Sequence, residues 1–179
     1  MTTSIPMPAA VDRMAWAVEQ LGLSRSSRML EVGCGHGRAL TLACDLVAPG
    51  PGGHVTAVDR SPRMVAAAGR RNAAWVSAGL LTLLTGSFPG VALDPGAFSH
   101  VFAFNVRAME SAPALAEARR VLAPGGTLAL VAQHPTPART AAAVAAVRDA
   151  LAAAGLRVVA EPRASLDPYP VAAVVAVSP

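Results

Sequence analysis

The run Met29-Leu30-Glu31-Val32-Gly33-Cys34-Gly35-His36-Gly37 constrains this chain more than any other stretch. A short apolar strand, Met29 to Val32, leads straight into three glycines at alternate positions. Behind them Ala39, Leu40, Ala43, Leu46 and Val47 recur on one face of a helix. Glycines at the end of a strand let the backbone turn tightly and approach a ligand with no Cβ in the way. A turn of this kind at the carboxyl edge of a parallel sheet is where open α/β folds bind nucleotide-like molecules.

The next segment fits the same geometry. Val55 to Val58 reads as a second strand that ends in Asp59, and Ser61-Pro62 reads as an N-cap and first helical residue. Asp59 lies two dozen residues beyond Gly35. An acid at that strand tip is placed to accept hydrogen bonds from both hydroxyls of a ribose.

The glycine spacing discriminates between nucleotides. The dinucleotide fingerprint is Gly-x-Gly-x-x-Gly, whereas here the third glycine comes one residue early and Arg38 stands in its place. Glu31 also puts an acid two residues before the first glycine, where a dinucleotide-binding strand is usually apolar. Glu-x-Gly-x-Gly-x-Gly followed by Val-Asp-x-Ser resembles the class I S-adenosylmethionine-dependent methyltransferases. A third segment, Glu117-Ala118-Arg119-Arg120-Val121-Leu122-Ala123-Pro124-Gly125-Gly126-Thr127-Leu128, looks like that family's helix, turn and fifth strand. The three segments occur in the family's order and span about Met29 to Val131.

The resemblance implies a site, residue by residue. Gly33, Cys34, Gly35 and Gly37 form the loop that cradles the methionine part of S-adenosylmethionine, and Glu31 helps hold its amino group. Asp59 takes the ribose, and Arg60 stands where a side chain lies against the adenine. In Thr85-Gly86-Ser87-Phe88, Ser87 replaces the family's adenine-binding acid with a weaker acceptor. Phe88 keeps a backbone N–H and a ring for the base. Asn105, at the exit of the fourth strand, lies where substrate and methyl group meet, and Arg107 either anchors an acidic substrate or pairs with Glu110 at i+3. His134, just past the fifth strand, is the candidate general base, with a surface histidine as the plain alternative. The implied reaction is in-line displacement at the methyl carbon, releasing S-adenosylhomocysteine. Alignment of the attacking atom at about 3 Å and a pocket of low polarity do most of that work.

Several classes are excluded by what the chain lacks. Asn105 is not followed by Pro-Pro-Tyr, the signature of amino-directed nucleic-acid methylases, and Asp167-Pro168-Tyr169-Pro170 falls too late and reads as a turn. No pair of acids follows the fourth and fifth strands to hold magnesium, and His36, His54 and His100 show no ligand spacing, so no metal is expected. The net charge of +4 comes from 15 arginines, scattered except for Arg70-Arg71 and Arg119-Arg120, with no lysine and only 4% aromatics. A nucleic-acid binder would show a basic stripe interleaved with aromatics. Asn72 to Leu93 carries no charge but is interrupted by Gly79, Gly86, Pro89 and Gly90, so no membrane span is expected. Met1 to Pro8 does not read as a secretory signal. Cys34 and Cys44 suit neither zinc nor a disulfide framework, and a cytoplasmic location follows as the expectation.

Read along its length, the chain predicts a helix over Val11–Leu21 and strands at Met29–Val32, Val55–Val58, Leu80–Leu84, His100–Phe104, Thr127–Ala132, Leu156–Ala160 and Val171–Val177. Helices fall at about Arg38–Val47, Pro62–Val76, Ala114–Leu122 and Ala138–Ala154, the last stopped by Gly155. This is an α/β fold: one doubly wound, mostly parallel seven-stranded sheet with helices on both faces and an antiparallel last strand. Residues 1–27 form an N-terminal helical segment that can serve as a lid, and 28–179 the Rossmann-like domain. Because no insertion builds a lid, the substrate pocket is shallow, roofed by the N-terminal helix, or completed by a second subunit. The expected function is methyl transfer to an O, N or C atom of a small molecule, by a monomer or homodimer. Two alternatives stay open: within enzymes an RNA methyltransferase, and, motivated by Ser87, the missing lid and the unexplained pair Ser99-His100, a binding or assembly module that retains the fold without turnover.

Overall fold

The structure, a computed structural model, describes residues 12–48, 51–166 and 169–179. Its strands are β1 (Arg28–Val32), β2 (His54–Asp59), β3 (Leu81–Thr85), β4 (Phe98–Phe104), β5 (Leu122–Gln133), β6 (Arg157–Ala160), β7 (Arg163–Ser165) and β8 (Pro170–Val177). Its helices are α1 (Arg13–Glu19), α2 (Arg38–Val47), α3 (Pro62–Arg71), α4 (Ala73–Ser77), α5 (Ala112–Val121) and α6 (Pro137–Ala153), with a 3-10 turn at Arg107–Glu110.

Hydrophobicity explains the layering. Residues 29–32 of β1 and 55–58 of β2 are buried on both faces, and a strand sealed on both sides belongs in the middle of a parallel sheet. The order is β3-β2-β1-β4-β5-β8-β6, with β7 added beside β8. β3, β2, β1, β4 and β5 are parallel, and β8 runs antiparallel to β5, β6 and β7. Chain direction across the sheet therefore reverses its winding between β1 and β4, and the crevice at their carboxyl ends is the topological switch point. Two cores flank the sheet. Met29, Val55, Ala57 and Phe102 pack with α1 and α2 on one face, and Leu30, Val101, Leu128 and Val174 pack with α5 and α6 on the other.

Two sequence expectations need correction. The sheet has eight strands, because Arg163–Ser165 pairs with 170–172 of β8. The helix expected over Pro62–Val76 is two helices, broken at Asn72, whose backbone leaves the helical region (φ −112, ψ 28). The break has a cause in the side chain. Asn72 is 2% exposed, and its Nδ2 donates to the carbonyls of Gly37 and Ala68 at 3.0 Å each, while Oδ1 accepts from Thr41 Oγ1 at 2.7 Å. A buried amide with these partners ties the α3–α4 corner to the start of α2. The N-terminal helix starts at Arg13, capped by Asp12; Val11 lies outside the described residues, as do Met1–Pro8, Pro49-Gly50 and Asp167-Pro168.

Ser99-His100 also finds its explanation here, at the amino end of β4 and away from the switch point. Ser99 Oγ accepts the Arg28 N–H at 2.9 Å and lies 2.8 Å from His100 Nδ1, while His100 meets the Leu21 carbonyl. The pair fastens β4 to the start of β1 and to the chain before it. It is structural.

Asn72→Ala removes the bonds to the Gly37 and Ala68 carbonyls and to the Thr41 hydroxyl, leaving Gly37 and Thr41 only their longer 3.3 Å bonds to each other. We expect a loss of about 1–3 kcal/mol in urea unfolding, the scale of several intramolecular hydrogen bonds lost together. A stability within a few tenths of wild type would remove Asn72 from this role.

Candidate functional site

The glycine turn is shaped from three sides. Gly33, Gly35 and Gly37 all adopt positive φ (76°, 51° and 74°), which a side chain would resist. A Cβ on Gly33 would sit 2.5 Å from Val106 Cγ2, and one on Gly37 would sit 2.6 Å from Asn72 Nδ2. At Gly35 a Cβ would meet nothing within 4 Å. The outer glycines are therefore demanded by packing, and the middle one faces open space.

Asp59 completes the turn. Its Oδ2 accepts the Gly35 N–H and its Oδ1 accepts the Ser61 N–H, both at 2.9 Å. A carboxylate has about four acceptor positions, so roughly two remain for a ligand. Helix capping is done instead by Ser61, whose Oγ accepts the Met64 N–H at 3.4 Å. Asp59 borders a cleft of about 570 Å³ that also meets Val32, Gly33, Arg60, Ser87, Phe88 and Asn105. Phe88 is both core and cleft wall: it is 8% exposed and packs in the cluster that holds Val58 and Val101.

Beneath the turn lies Glu31, 3% exposed, with an Oε2 that has no hydrogen-bond partner. Burial, reinforced by the negative charge of Asp59, pushes its carboxyl up to about 8. Cys34, just beyond, has its thiol pushed up to about 12 by burial, Glu31 and Asp59, so it is no thiolate nucleophile. The site thus offers an orphaned acid below an open glycine turn, which is what an aminoacyl ammonium group would satisfy. S-adenosylmethionine would fit these groups, with an acid for its amino group, open space at Gly35 for its aminoacyl end, and Asp59 for its ribose.

A second cavity, of about 220 Å³, adjoins the first across Asn105, Val106 and Arg107, which line both. Its walls are Met109, Leu130, Val131 and Val147, and it also meets Glu110, Gln133 and His134. The structure thus brings Asn105, Arg107 and His134 together. The alternative i+3 pairing of Arg107 with Glu110 is not made: among the described residues neither Arg107 nor Arg60 has a carboxylate within 4.0 Å. His36 is an exposed loop residue and His54 lies 2.9 Å from Thr82 Oγ1, away from the cleft. Among the described residues no three His, Cys, Asp or Glu side chains gather to hold a metal ion.

Residues 29–126 match the model of a family described as a methyltransferase domain, more than half of the chain. The chain belongs to the class I S-adenosylmethionine-dependent methyltransferase family. Solved structures carry the same fold at low identity. A SAM-dependent methyltransferase from Aquifex aeolicus superposes with a TM-score of 0.76 at 22% identity, over 92% of this chain and 89% of that one. The [4+2]-cyclase SpnF gives 0.76 at 18% identity, over 93% and 80%. A geranyl diphosphate C-methyltransferase from Streptomyces coelicolor A3(2), complexed with Mg2+, geranyl diphosphate and S-adenosyl-L-homocysteine, gives 0.74 at 12%, over 93% and 78%. No curated protein matches the sequence.

Two residues of this family member's site escaped the sequence reading. Asn72, hidden in what looked like a continuous helix, holds the Gly37 carbonyl. Gln133 donates its backbone N–H to Asn105 Oδ1 at 2.7 Å, accepts Arg13 Nη1 at 2.9 Å, and donates Nε2 to the Tyr169 carbonyl at 3.0 Å. A polar residue at the end of an apolar strand was the only signal for it. The larger groove between α5 and α6, about 630 Å³, lies outside the switch point and meets none of these residues except Glu110.

Glu31 gives the ligand-free protein a pH signature. Its ordinary value is 4.5 and the folded value about 8, so the folded state holds an extra proton between them. The associated stability is fully present below about pH 4.5 and is lost as pH rises through about 8. His54 and His100, both lowered by burial, act with the opposite sign below their ordinary 6.5. Comparing Glu31→Gln with wild type isolates the carboxyl: the variant should gain relative stability steadily across that window in chemical denaturation. A difference that does not change with pH would refute a neutral buried Glu31.

Proposed function

We propose that the chain is an S-adenosylmethionine-dependent methyltransferase acting on a small molecule. One observation carries this: a buried, unpartnered carboxyl oxygen of Glu31 lies under a glycine turn whose middle position is open, beside an Asp59 with acceptor capacity to spare. S-adenosylmethionine would supply an electrophilic methyl group on a sulfonium. Glu31 and the loop Gly33, Cys34, Gly35 and Gly37 hold its aminoacyl end, Asp59 its ribose, and Arg60, Ser87 and Phe88 its base.

The acceptor side is the slot shared by Asn105, Arg107 and His134. Apolar walls exclude water and favour a reaction in which positive charge disperses. His134 takes the proton when the acceptor arrives as a hydroxyl. The Arg13–Gln133 bond carries the start of α1 to the end of β5, which supports α1 as the roof of this slot. Two free buried thiols, Cys34 and Cys44, suit a cytoplasmic setting, and no helix among the described residues is long and apolar enough to cross a membrane.

That a [4+2]-cyclase shares the architecture means that fold alone does not fix the reaction, so binding and turnover need separate tests. Calorimetric titration with S-adenosylhomocysteine tests binding, and transfer of labelled methyl to small-molecule fractions, with bulk RNA as the control acceptor, tests turnover. Asp59→Ala should weaken S-adenosylhomocysteine by about 1–3 kcal/mol, the scale of hydrogen bonds to a charged group. Unchanged affinity in that variant would take Asp59 out of the site, and no heat with wild type at high micromolar ligand would overturn the proposal.

A further inference from the structure

The polarity of Asn105 decides what kind of atom can be methylated, given the site proposed above. Its backbone is fixed in the left-handed region at φ 55°, a conformation Asn and Asp tolerate better than other side-chain-bearing residues. Two bonds to the end of β5 hold it there: the Asn105 N–H donates to the Val131 carbonyl at 2.8 Å, and Oδ1 accepts the Gln133 N–H at 2.7 Å. A backbone N–H only donates, so the atom facing Gln133 must be the amide oxygen. The amide nitrogen is left over. Among the described residues Nδ2 has no protein partner, and Asn105 is an exposed residue lining both cavities.

The junction of the cavities is therefore a place of donors. Its three residues are Asn105, which presents N–H groups, Val106, which presents methyls, and Arg107, a guanidinium with no carboxylate partner among the described residues. Glu110, the carboxylate that borders the slot, also borders the outer groove and not the cleft. An amine acceptor needs a hydrogen-bond acceptor to orient its N–H and its lone pair, and the side chains at this junction supply none. A carboxylate or an ionised phenol needs the reverse: a neutral donor on one lone pair and a guanidinium, which binds planar oxyanions in fixed geometry.

We infer that the acceptor is an oxyanion, a carboxylate or phenolate, carried on an apolar body that fills the slot, and that Asn105 and Arg107 select it against amines. The transfer balances with no further reactant. An oxygen lone pair forms the O–C bond as the C–S bond breaks, the released pair stays on sulfur as a thioether, and the acceptor's negative charge and the sulfonium's positive charge are both extinguished. A phenol that arrives protonated gives its proton to His134.

The test uses the isotope-labelled full chain, first saturated with S-adenosylhomocysteine and then titrated with benzoate or, separately, benzylammonium at matched millimolar concentration. The readout is the side-chain amide resonance pair of Asn105. Benzoate should move it in a saturable way and benzylammonium should not. Arg107→Gln, checked for folding by its amide dispersion, should weaken benzoate at least tenfold. Asn105→Asp, which has no side-chain amide and is followed through the backbone amide resonance of Val106, keeps an oxygen for Gln133 and tolerates the backbone angle but turns an acceptor toward the slot; it should lose benzoate and gain benzylammonium. Response of the wild type to benzylammonium alone, equal response to both, or response to neither with the nucleoside bound would overturn the inference while leaving the methyltransferase reading standing. Failure of the nucleoside itself to bind would remove both.

Discussion

The close approach of two backbone segments at the β1–β4 switch point is the constraint on which the rest depends. The turn after β1 lies so near the segment after β4 that a methyl group on Gly33 would overlap Val106. That proximity turns a generic crevice into a site, because it brings the glycine turn, Asp59 at the tip of β2, and Asn105 at the tip of β4 to one cleft. Everything around it serves to hold the turn still. Gly33 N–H is bound by the Val58 carbonyl at 2.7 Å, Gly35 N–H by Asp59, and the Gly37 carbonyl by Asn72. A preorganised turn loses little freedom when a ligand arrives, so more of the contact energy appears as affinity.

Against that rigid frame, Oε2 of Glu31 is the buried side-chain oxygen left without a partner among the described residues. An isolated buried carboxylate costs far more than an isolated buried hydroxyl, and the chain escapes the cost by keeping the acid protonated. The same residue is then ready for a cation: an ammonium group beside it would favour the charged form and reverse the shift. Asp59 does two jobs with one carboxylate, since its backbone bonds keep it aimed while part of its acceptor capacity stays free. The two acids sit close enough to raise Glu31 through their mutual repulsion, so a ligand that supplies positive charge at one and hydroxyls at the other relieves both.

Much of this was legible in the residues. Glycine spacing, Glu31 and Asp59 each carry a local cause that a sequence states openly: positive φ, an acid in an apolar strand, an acid at a strand tip. The strands buried on both faces announced themselves as unbroken apolar runs, and their alternation with helices gave the winding. What could not be read were contacts between distant segments. Asn72 looks like an ordinary helical residue until Gly37 is folded against it, 35 residues away. The short strand Arg163–Ser165 has neither the apolar run nor the length to stand out, and exists because β8 offers it an edge. Ser99-His100 looked like a departure from a functional pattern and proved to be a fastening at the opposite end of the sheet.

Gln133 ties the N-terminal helix to this edge of the sheet. It is 7% exposed, and its side chain has one bond to Arg13 of α1 and one to the Tyr169 carbonyl before β8, while its backbone fixes the amide of Asn105. Three elements that would otherwise end independently at this edge of the sheet are joined through one residue. A second tie, Arg38 to Asp12 at 2.6 Å, is exposed and adds little by itself; the buried apolar contacts of Ala17, Val18 and Leu21 set where α1 lies. Arg13 then reaches β5 from a helix already seated, so the hydrogen bond orients more than it stabilises. Because Gln133 holds α1 and Asn105 at once, a shift of the helix would be felt at the Asn105 amide.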